Sequence, residues 1–301
     1  MNNIGVVIVT YNNEKDIADC VNELKDVDII VVDNNSTDKT IEMLKNFQHD
    51  TLRIIENKEN LGLSKANNLA IKKFLEEGKE YVLILNPDTL ISKNLVTDLV
   101  GVMEKDPQIG VASPKIYFAP GYEFHKDRYT KAQLGKVFWY AGGKIDWKNV
   151  LNSHRGVDQV DTGQYEDITD TDFVSGCAMF VHHKVFEKIG YLDEDLAMYL
   201  EDADFSLRAK RAGFRVVYSP VAAVWHKNAQ SSEVGSALQD YYLTRNRLLF
   251  ALKYAGMRAK LAVIREGWRL LLSGRPGQKQ GVKDFYLKKF GVHPDPIGVK
   301  K

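Results

Sequence analysis

Apolar and polar positions alternate between two periods over the first hundred residues. Residues 4–9 (IGVVIV) are a nearly continuous β-branched run, which predicts a strand buried on both faces. Ile17, Cys20, Val21 and Leu24 then recur at helical spacing. Residues 29–32 (IIVV) predict a second strand, and Ser36 is placed to cap a helix whose apolar face is Ile41, Leu44 and Phe47. A short third strand follows at 53–55. Ala66, Leu69, Ala70 and Phe74 mark a third helix, and residues 81–85 (YVLIL) a fourth strand. Strands separated by helices of this length predict an α/β fold with a mostly parallel sheet flanked by helices and right-handed crossovers.

The pattern then changes. Residues 115–172 show no sustained period and predict long loops, which their aromatics (Tyr117, Phe118, Phe138, Trp139, Tyr140, Trp147) mark as ordered. Alternation resumes with a strand at 178–181, a helix over 199–212, and two strands near 216–218 and 222–225. Residues 238–290 predict two or three helices broken at Gly256 and at Gly274-Arg275-Pro276-Gly277. This divides the chain into a body of residues 1–236, with halves 1–112 and 113–236, and a helical extension, 237–301.

Polar residues gather where the early strands end. Thr10-Tyr11-Asn12 follows the first strand, Asp33-Asn34-Asn35-Ser36 the second, and Asn86-Pro87-Asp88 the fourth. Pro87 cannot donate to a ladder, so it ends the strand and leaves Asp88 just beyond it. One such cluster is ordinary turn chemistry. Three converge on one edge of a parallel sheet, where ligands bind. The loop Asn60-Leu61-Gly62-Leu63-Ser64 adds a backbone able to approach a ligand closely. Neither GxGxxG nor GxxxxGK[ST] is present, which disfavours a dinucleotide or P-loop site.

Glu201-Asp202-Ala203-Asp204 opens a helix. Carboxylates there complement the helix dipole, but three in four residues exceed what capping requires, and crowded carboxylates serve as general bases or metal ligands. Arg208 is spaced to orient one of them. His226 ends an apolar run before a polar loop, 227–232. A lone histidine is more often structural. Asp88, His226 and phosphate oxygens together would nonetheless complete a site for a divalent ion such as Mn²⁺. The other histidines (His49, His125, His154, His182, His183, His293) show no metal spacing and are expected at the surface or in loops.

Composition excludes several classes. Hydrophobic content of 44% and charged content of 27% are those of a water-soluble globular chain. Two cysteines, Cys20 and Cys177, without a CxxC indicate neither a disulfide framework nor a structural zinc, and fit a reducing, cytoplasmic setting. No apolar run reaches the ~20 residues of a membrane span, and MNNIGVVIVTYNNE does not read as a signal peptide. The net charge of +1 hides a division: residues 245–301 carry 14 Lys/Arg against 3 Asp/Glu, and the remainder is acidic. A basic tail points to an anionic partner surface. Without an accompanying nucleic-acid motif, membrane is favoured over nucleic acid.

In this order, VVIVTYNNE, IIVVDNNSTDKT, ENLGLSKANNLAI, YVLILNPDTLI, TDFVSGCAMFV, GYLDEDLAMYLEDADFSLRAKRAGFRVVYSPVAAVWHK and YYLTRNRL resemble family 2 glycosyltransferases of the GT-A fold, nearest the rhamnosyltransferase-like group. The resemblance spans residues 4–250, and the basic tail resembles the group's variable C-terminal helices. It implies that Thr10, Tyr11, Asn12 and Asp33 hold the base and ribose. Asn35 and the loop from Asn60 and Gly62 to Asn67 would close on the nucleotide. Asn86-Pro87-Asp88 resembles the DXD-type motif, with Asp88 a metal ligand and Asn86, in place of the first acid, nearer the ribose or sugar. The resemblance also implies Asp202 as catalytic base with Glu201 beside it, His226 as second ligand to Mn²⁺ or Mg²⁺, and Arg245 and Asn246 clamping diphosphate or acceptor. Trp139, Tyr140, Gly142, Gly143 and Arg155 would lie where an acceptor sits. The implied activity is inverting transfer from a nucleoside-diphosphate sugar, dTDP-L-rhamnose before UDP-sugars, to a glycan or lipid-linked hydroxyl in cell-surface polysaccharide synthesis, at the inner face of the membrane. Two rival readings are a catalytically silent nucleotide-sugar binding module and a sugar nucleotidyltransferase. The full set Asp33, Asp88, Asp202 and His226 weighs against the first. The lack of a Gly-rich basic loop after the first strand weighs against the second.

Overall fold

The structure, a computed structural model, describes residues 3–24, 26–47, 50–227 and 235–293. In chain order the elements are β1 (Ile4–Thr10), α1 (Ile17–Asn22), β2 (Asp28–Asp33), α2 (Thr40–Lys45), β3 (Leu52–Glu56), α3 (Leu63–Glu76), β4 (Tyr81–Leu85), β5 (Thr89–Ile91), α4 (Leu95–Lys105) and β6 (Ile109–Phe118). There follow β7 (Phe138–Tyr140), β8 (Gly143–Asp146), β9 (Leu151–His154), β10 (Thr169–Asp170), β11 (Ala178–His182), α5 (His183–Ile189), α6 (Glu201–Arg211) and β12 (Arg215–His226). The chain closes with α7 (Ala237–Tyr254), α8 (Met257–Ser273) and α9 (Pro276–Tyr286).

The main sheet runs β10-β12-β6-β11-β4-β1-β2-β3, with β5 added to β12 and β7 to β6. β1, β2, β3 and β4 are mutually parallel. β11 enters antiparallel between β4 and β6, so β6 and its parallel partner β12 point the same way as β1. Thus the ends of β1, β2, β4, β6 and β12 share one edge. The predicted α/β class, a mostly parallel sheet flanked by helices, is what the chain adopts.

Alternate residues of each strand feed two cores. Val6, Ile8, Ile29, Val31, Leu83 and Phe180 pack under α1, α2 and α4. Val7, Val9, Ile30, Val32, Ile84 and Met179 pack under α3, α5 and α6. Both faces are covered, which is why these strands read as unbroken apolar runs rather than as alternation. A third cluster joins Ile145, Val150, Phe173 and Ala203 to Leu248, Phe250, Val263, Val282 and Phe285, seating α7–α9 on the β8–β9 hairpin and on α6.

Several local expectations are corrected. Ser36 does not cap a helix: its hydroxyl accepts from Asn12 N (2.9 Å) and donates to Asp33, and α2 begins four residues later. The two strands expected near 216–218 and 222–225 are one, β12, carrying a register shift between Ser219 and Ala223. Residues 115–172 are not only loops. They finish β6 and build β7, β8, β9 and β10 from segments of two to four residues, too short to display a period. His154 is not a loop residue but part of β9. The breaks at Gly256 and 274–277 fall between the three tail helices as expected. His49 and most of the loop after His226 lie outside the described residues.

Candidate active site

β1 and β2 pair in register up to Thr10 opposite Asp33, so the first two polar clusters are neighbours. Both residues are buried. Asp33 accepts from Ser36 N (2.9 Å), and Thr10 Oγ1 donates to Asn13 Oδ1 (3.0 Å). Asn12 and Asn35 adopt left-handed backbone, φ 56° and 68°, a conformation asparagine tolerates better than most residues. Asn12 Oδ1 accepts from Thr37 N (2.8 Å), tying the two turns together. Tyr11 and Asn35 remain exposed above them.

The turn Asn86-Pro87-Asp88 sends the chain back as β5, which pairs antiparallel with the end of β12 and sets His226 opposite Thr89. Asp88 is thereby brought to His226: Oδ1 lies 3.2 Å from Nε2, with Asn86 Nδ2 3.5 Å from the same nitrogen. Asp88 and His226 are both buried. Burial pushes the Asp88 carboxyl up, but the imidazole beside it prevails and holds it below the usual range. Burial likewise opposes charge on His226, yet Cys177 and Asp88 together raise it well above an ordinary imidazole. His226 Nδ1 has no hydrogen-bond partner among the described residues. One carboxylate and one imidazole suit a divalent ion of the Mn²⁺ type. No cluster of three or more His, Cys, Asp or Glu able to hold a metal occurs among the described residues. A cation at Asp88 and His226 would therefore draw its remaining oxygens from ligand and water.

Ser175-Gly176-Cys177 joins this pair to the acidic helix. Cys177 O accepts from Asn86 N (2.9 Å), while Gly176 N donates to Asp202 Oδ2 (3.0 Å). Asp202 and the Asp88–His226 pair thus flank one short backbone segment. Asp202 Oδ1 also accepts from Ala203 N (2.7 Å). Glu201 is buried beside it, and its Oε2 has no partner among the described residues. Burial and the Asp202 charge push the Glu201 carboxyl up to about 8. Burial raises Asp202 too, but backbone donors from Gly176 and Ala203 work against it. Burial beside the Asp202 charge thus favours the neutral form of Glu201, while two backbone donors on Asp202 favour its charged form. Asp204 belongs to neither role. It is buried, paired with Arg208 (2.7 Å) and accepting from Tyr254 (2.5 Å), and it fastens α6 to α7.

The residues before α6 are strained. Ala197, Tyr199 and Leu200 all have positive φ (58°, 65° and 69°), each costing roughly 1 kcal/mol or more. They are held from two sides. Leu63 N and Ser64 N, at the start of α3, donate to Ala197 O (2.8 and 3.0 Å). From α7, Asn246 Nδ2 reaches Leu196 O, Met198 O and Tyr199 O at 2.7–2.9 Å. Arg245, expected at the diphosphate, has no exposure at all. Its guanidinium donates to Asp195 O (3.0 Å), Leu196 O (3.1 Å) and Gly291 O (2.6 Å), so it has no reach to the sheet edge. Gly62 (φ 77°) is required by contact, since a Cβ there would lie 2.6 Å from Val292. Asn67 Oδ1 and Ser64 Oγ, on α3, are buried without partners among the described residues.

Of the residues expected at an acceptor, Trp139 meets the site: its ring packs edge-on against His226 (4.7 Å) and His154 (4.4 Å). Tyr140 is fully buried with its hydroxyl on Phe173 O (2.9 Å), and Gly143 abuts Phe173. Arg155 lies under Gly142, bonded to Ala141 O (2.6 Å) and Thr169 Oγ1 (2.9 Å). His154, expected at the surface, is packed against Trp139, Tyr140 and Phe173, and burial lowers its pKa to about 4. Sequence reasoning gave no role to Gly176 or Cys177, and placed His154 only in the region where an acceptor would sit. Gly176 and Cys177 stand in a segment quoted only for its resemblance.

A structure described as GalNAc-T7 with UDP, GalNAc and Mn²⁺ superposes with a TM-score of 0.58 at 16% identity, covering 95% of this chain; the chain spans 58% of that structure's length. At that identity the likeness establishes the fold, which is of the GT-A type. The family described as Glycosyl transferase family 2 matches residues 5–190, and the chain belongs to it. Relatives include the low-salt glycan biosynthesis hexosyltransferase Agl10 of Haloferax volcanii (27% identity over 83% of this chain and 75% of the relative). Others are the N-acetylglucosaminyl-diphospho-decaprenol L-rhamnosyltransferase of Mycobacterium tuberculosis (24%, 76% and 77%) and the dTDP-rhamnosyl transferase RfbF of Shigella flexneri (27%, 83% and 80%).

Proposed function

We propose that this protein is an inverting, divalent-metal-dependent glycosyltransferase. It moves a sugar from a nucleoside diphosphate, dTDP-L-rhamnose first and a UDP-sugar next, to a hydroxyl of a glycan or lipid-linked acceptor in cell-envelope polysaccharide synthesis. It works in the cytoplasm, at the inner membrane face. The observation that carries the chemistry is the arrangement at the head of α6: Asp202, held by Gly176 N and Ala203 N beside the buried Glu201, lies one short backbone segment from Asp88 and His226. Family membership and the rhamnosyltransferase relatives support the donor assignment.

Thr10, Tyr11, Asn12, Asp33, Asn35, Gly62, Asn67 and Asn86 bind the nucleotide side of the donor. Asp88 and His226 would hold Mn²⁺ or Mg²⁺, which when bound would supply positive charge to offset that of the leaving diphosphate. Asp202 accepts the proton of the acceptor hydroxyl as its oxygen bonds to the anomeric carbon. The bond from that carbon to the diphosphate oxygen breaks on the opposite face, and the nucleoside diphosphate departs with the electron pair. A single displacement inverts the anomeric centre. Glu201, neutral and with a free oxygen, donates a hydrogen bond to a sugar hydroxyl, and Trp139 offers an aromatic face for the acceptor. The test is a panel of nucleotide sugars with release of nucleoside diphosphate as readout, in Mn²⁺, in Mg²⁺ and in excess chelator. Turnover of at least one donor that stops in chelator is expected. No release from any donor, or full activity in chelator, refutes the reading.

A further inference from the structure

Helix α8 faces the wrong way for a core helix. Its small residues Ala259, Val263 and Gly267, four apart, are buried, and a Cβ at Gly267 would sit 3.3 Å from Leu248 of α7. Leu270 and Leu271 pack against the third cluster, but four other large apolar residues point outward: Met257, Leu261, Trp268 and Leu272 are 71%, 60%, 56% and 83% exposed. At 3.6 residues per turn these four fall within about 60° of arc, one narrow stripe along the helix. Arg258, Arg265 and Arg269, all exposed, flank the stripe on one side. The helix has a single acid, Glu266, which pairs with Arg247 (2.9 Å) and more loosely with the 72% exposed Arg269 (3.9 Å). Trp268 meets Tyr286 (5.1 Å) at the end of α9, where Leu287, Lys288 and Lys289 are exposed as well.

We propose that this stripe lies in the headgroup region of an anionic membrane, Trp268 and Leu272 inserted and the arginines on lipid phosphates. Charge decides the occupant. A second copy docking through the same face would set the arginines against their own counterparts, whereas an anionic bilayer meets both the apolar stripe and its basic flank. No described helix is long and apolar enough to cross a membrane, so α8 lies on the surface rather than through it. The stripe deepens the proposed function, since it places the enzyme where a lipid-linked acceptor resides; the binding itself does not depend on the chemistry.

The test is co-sedimentation of the full chain with vesicles of phosphatidylcholine alone and of phosphatidylcholine with phosphatidylglycerol, at low and high salt. Wild type is expected to sediment with the anionic vesicles at low salt only. Replacing both Trp268→Ser and Leu272→Ser should lower apparent lipid affinity by about tenfold or more, and Arg265→Gln or Arg269→Gln by about fivefold each. All four positions are exposed, and donor hydrolysis without vesicles should stay at the wild-type rate. Sedimentation that is absent, equal on both vesicles, or unchanged in the variants overturns the proposal. So does a wild-type dimer that the Trp268→Ser, Leu272→Ser chain converts to monomer without change in lipid binding. Vesicle binding by a chain that turns over no donor would sink the glycosyltransferase reading and leave the docking intact; the reverse result would do the opposite.

Discussion

Replacing Glu201 by Gln keeps the side chain's shape and removes its charge, which isolates one consequence of the acidic helix head. The carboxyl is buried and unpaired on Oε2, next to Asp202, with Asp204 further along the helix. Its folded-state value of about 8 stands well above the ordinary 4.5. Between those two pH values the folded protein holds a proton that the unfolded chain has released. The contribution is therefore complete below pH 4.5 and is lost as pH rises through 8. At about 1.4 kcal/mol per pH unit, full linkage over that window is on the order of 4–5 kcal/mol; because Glu201 and Asp202 titrate as a pair, a difference of about 2–4 kcal/mol is expected. The Gln side chain bears no such pH dependence. Urea denaturation of wild type and Glu201→Gln at pH 5, 7 and 9 measures it. The variant should match or fall slightly below wild type at pH 5, where its amide lacks a partner, and exceed it at pH 9. A gap between the two that stays constant from pH 5 to 9 would show that Glu201 is ionised in the folded chain, and the division of roles with Asp202 would fail.

Asp202→Asn should lower kcat by about 10²–10⁴ while nucleotide affinity stays within a few fold, because the base acts chiefly in the transition state; near-normal turnover with a good acceptor would move the role to Glu201. Asp88→Ala and His226→Ala should each abolish the response of donor hydrolysis to added Mn²⁺, and calorimetric titration should show the ion binding much more weakly in the presence of nucleoside diphosphate; unchanged titration curves would remove both residues from the cation site. Asn246→Ala removes three hydrogen bonds to a strained loop and should cost about 2–4 kcal/mol in urea denaturation together with a fall in kcat; a stability within 0.5 kcal/mol of wild type, roughly the scatter of surface substitutions, would mean that the loop holds itself.

The parts of the fold legible in the sequence are those whose side chains repeat. β1, β2 and β4 carry buried residues on both faces, so their runs are apolar throughout and end abruptly at Thr10, Asp33 and Asn86. Those abrupt ends also marked the edge on which Thr10, Asp33 and Asp88 gather. The antiparallel insertion of β11 was not legible, because a strand's direction leaves no mark on its composition. Nor were β7 through β10, whose two to four residues pair by backbone and record little in side-chain type. Arg245 shows a different limit. The resemblance implied a ligand clamp at Arg245, and only the placement of Asp195 O, Leu196 O and Gly291 O around its guanidinium shows that it is spent on backbone carbonyls.

That arginine changes how the basic extension is understood. Charge alone sets residues 245–301 apart from the acidic body and invites treating them as an appendage. Yet Arg245 and Asn246 donate six hydrogen bonds to backbone carbonyls, those of residues 195, 196, 198, 199 and 291. The loop they secure leads directly into Glu201 and Asp202. Gly291 in turn donates to Asp195 O (2.9 Å), so the chain beyond α9 closes the same arrangement. Ending the chain after α7 would strip Val263, Val282 and Phe285 from the cluster that contains Ala203 of α6, and would take Gly291 from Arg245. Such a chain is expected to lose activity for reasons unrelated to any membrane. The extension thus has two separable faces, an inner one that holds the loop before α6 in its left-handed conformation and an outer one, on α8, that is exposed. Substitutions at Trp268 and Leu272 reach the second without touching the first.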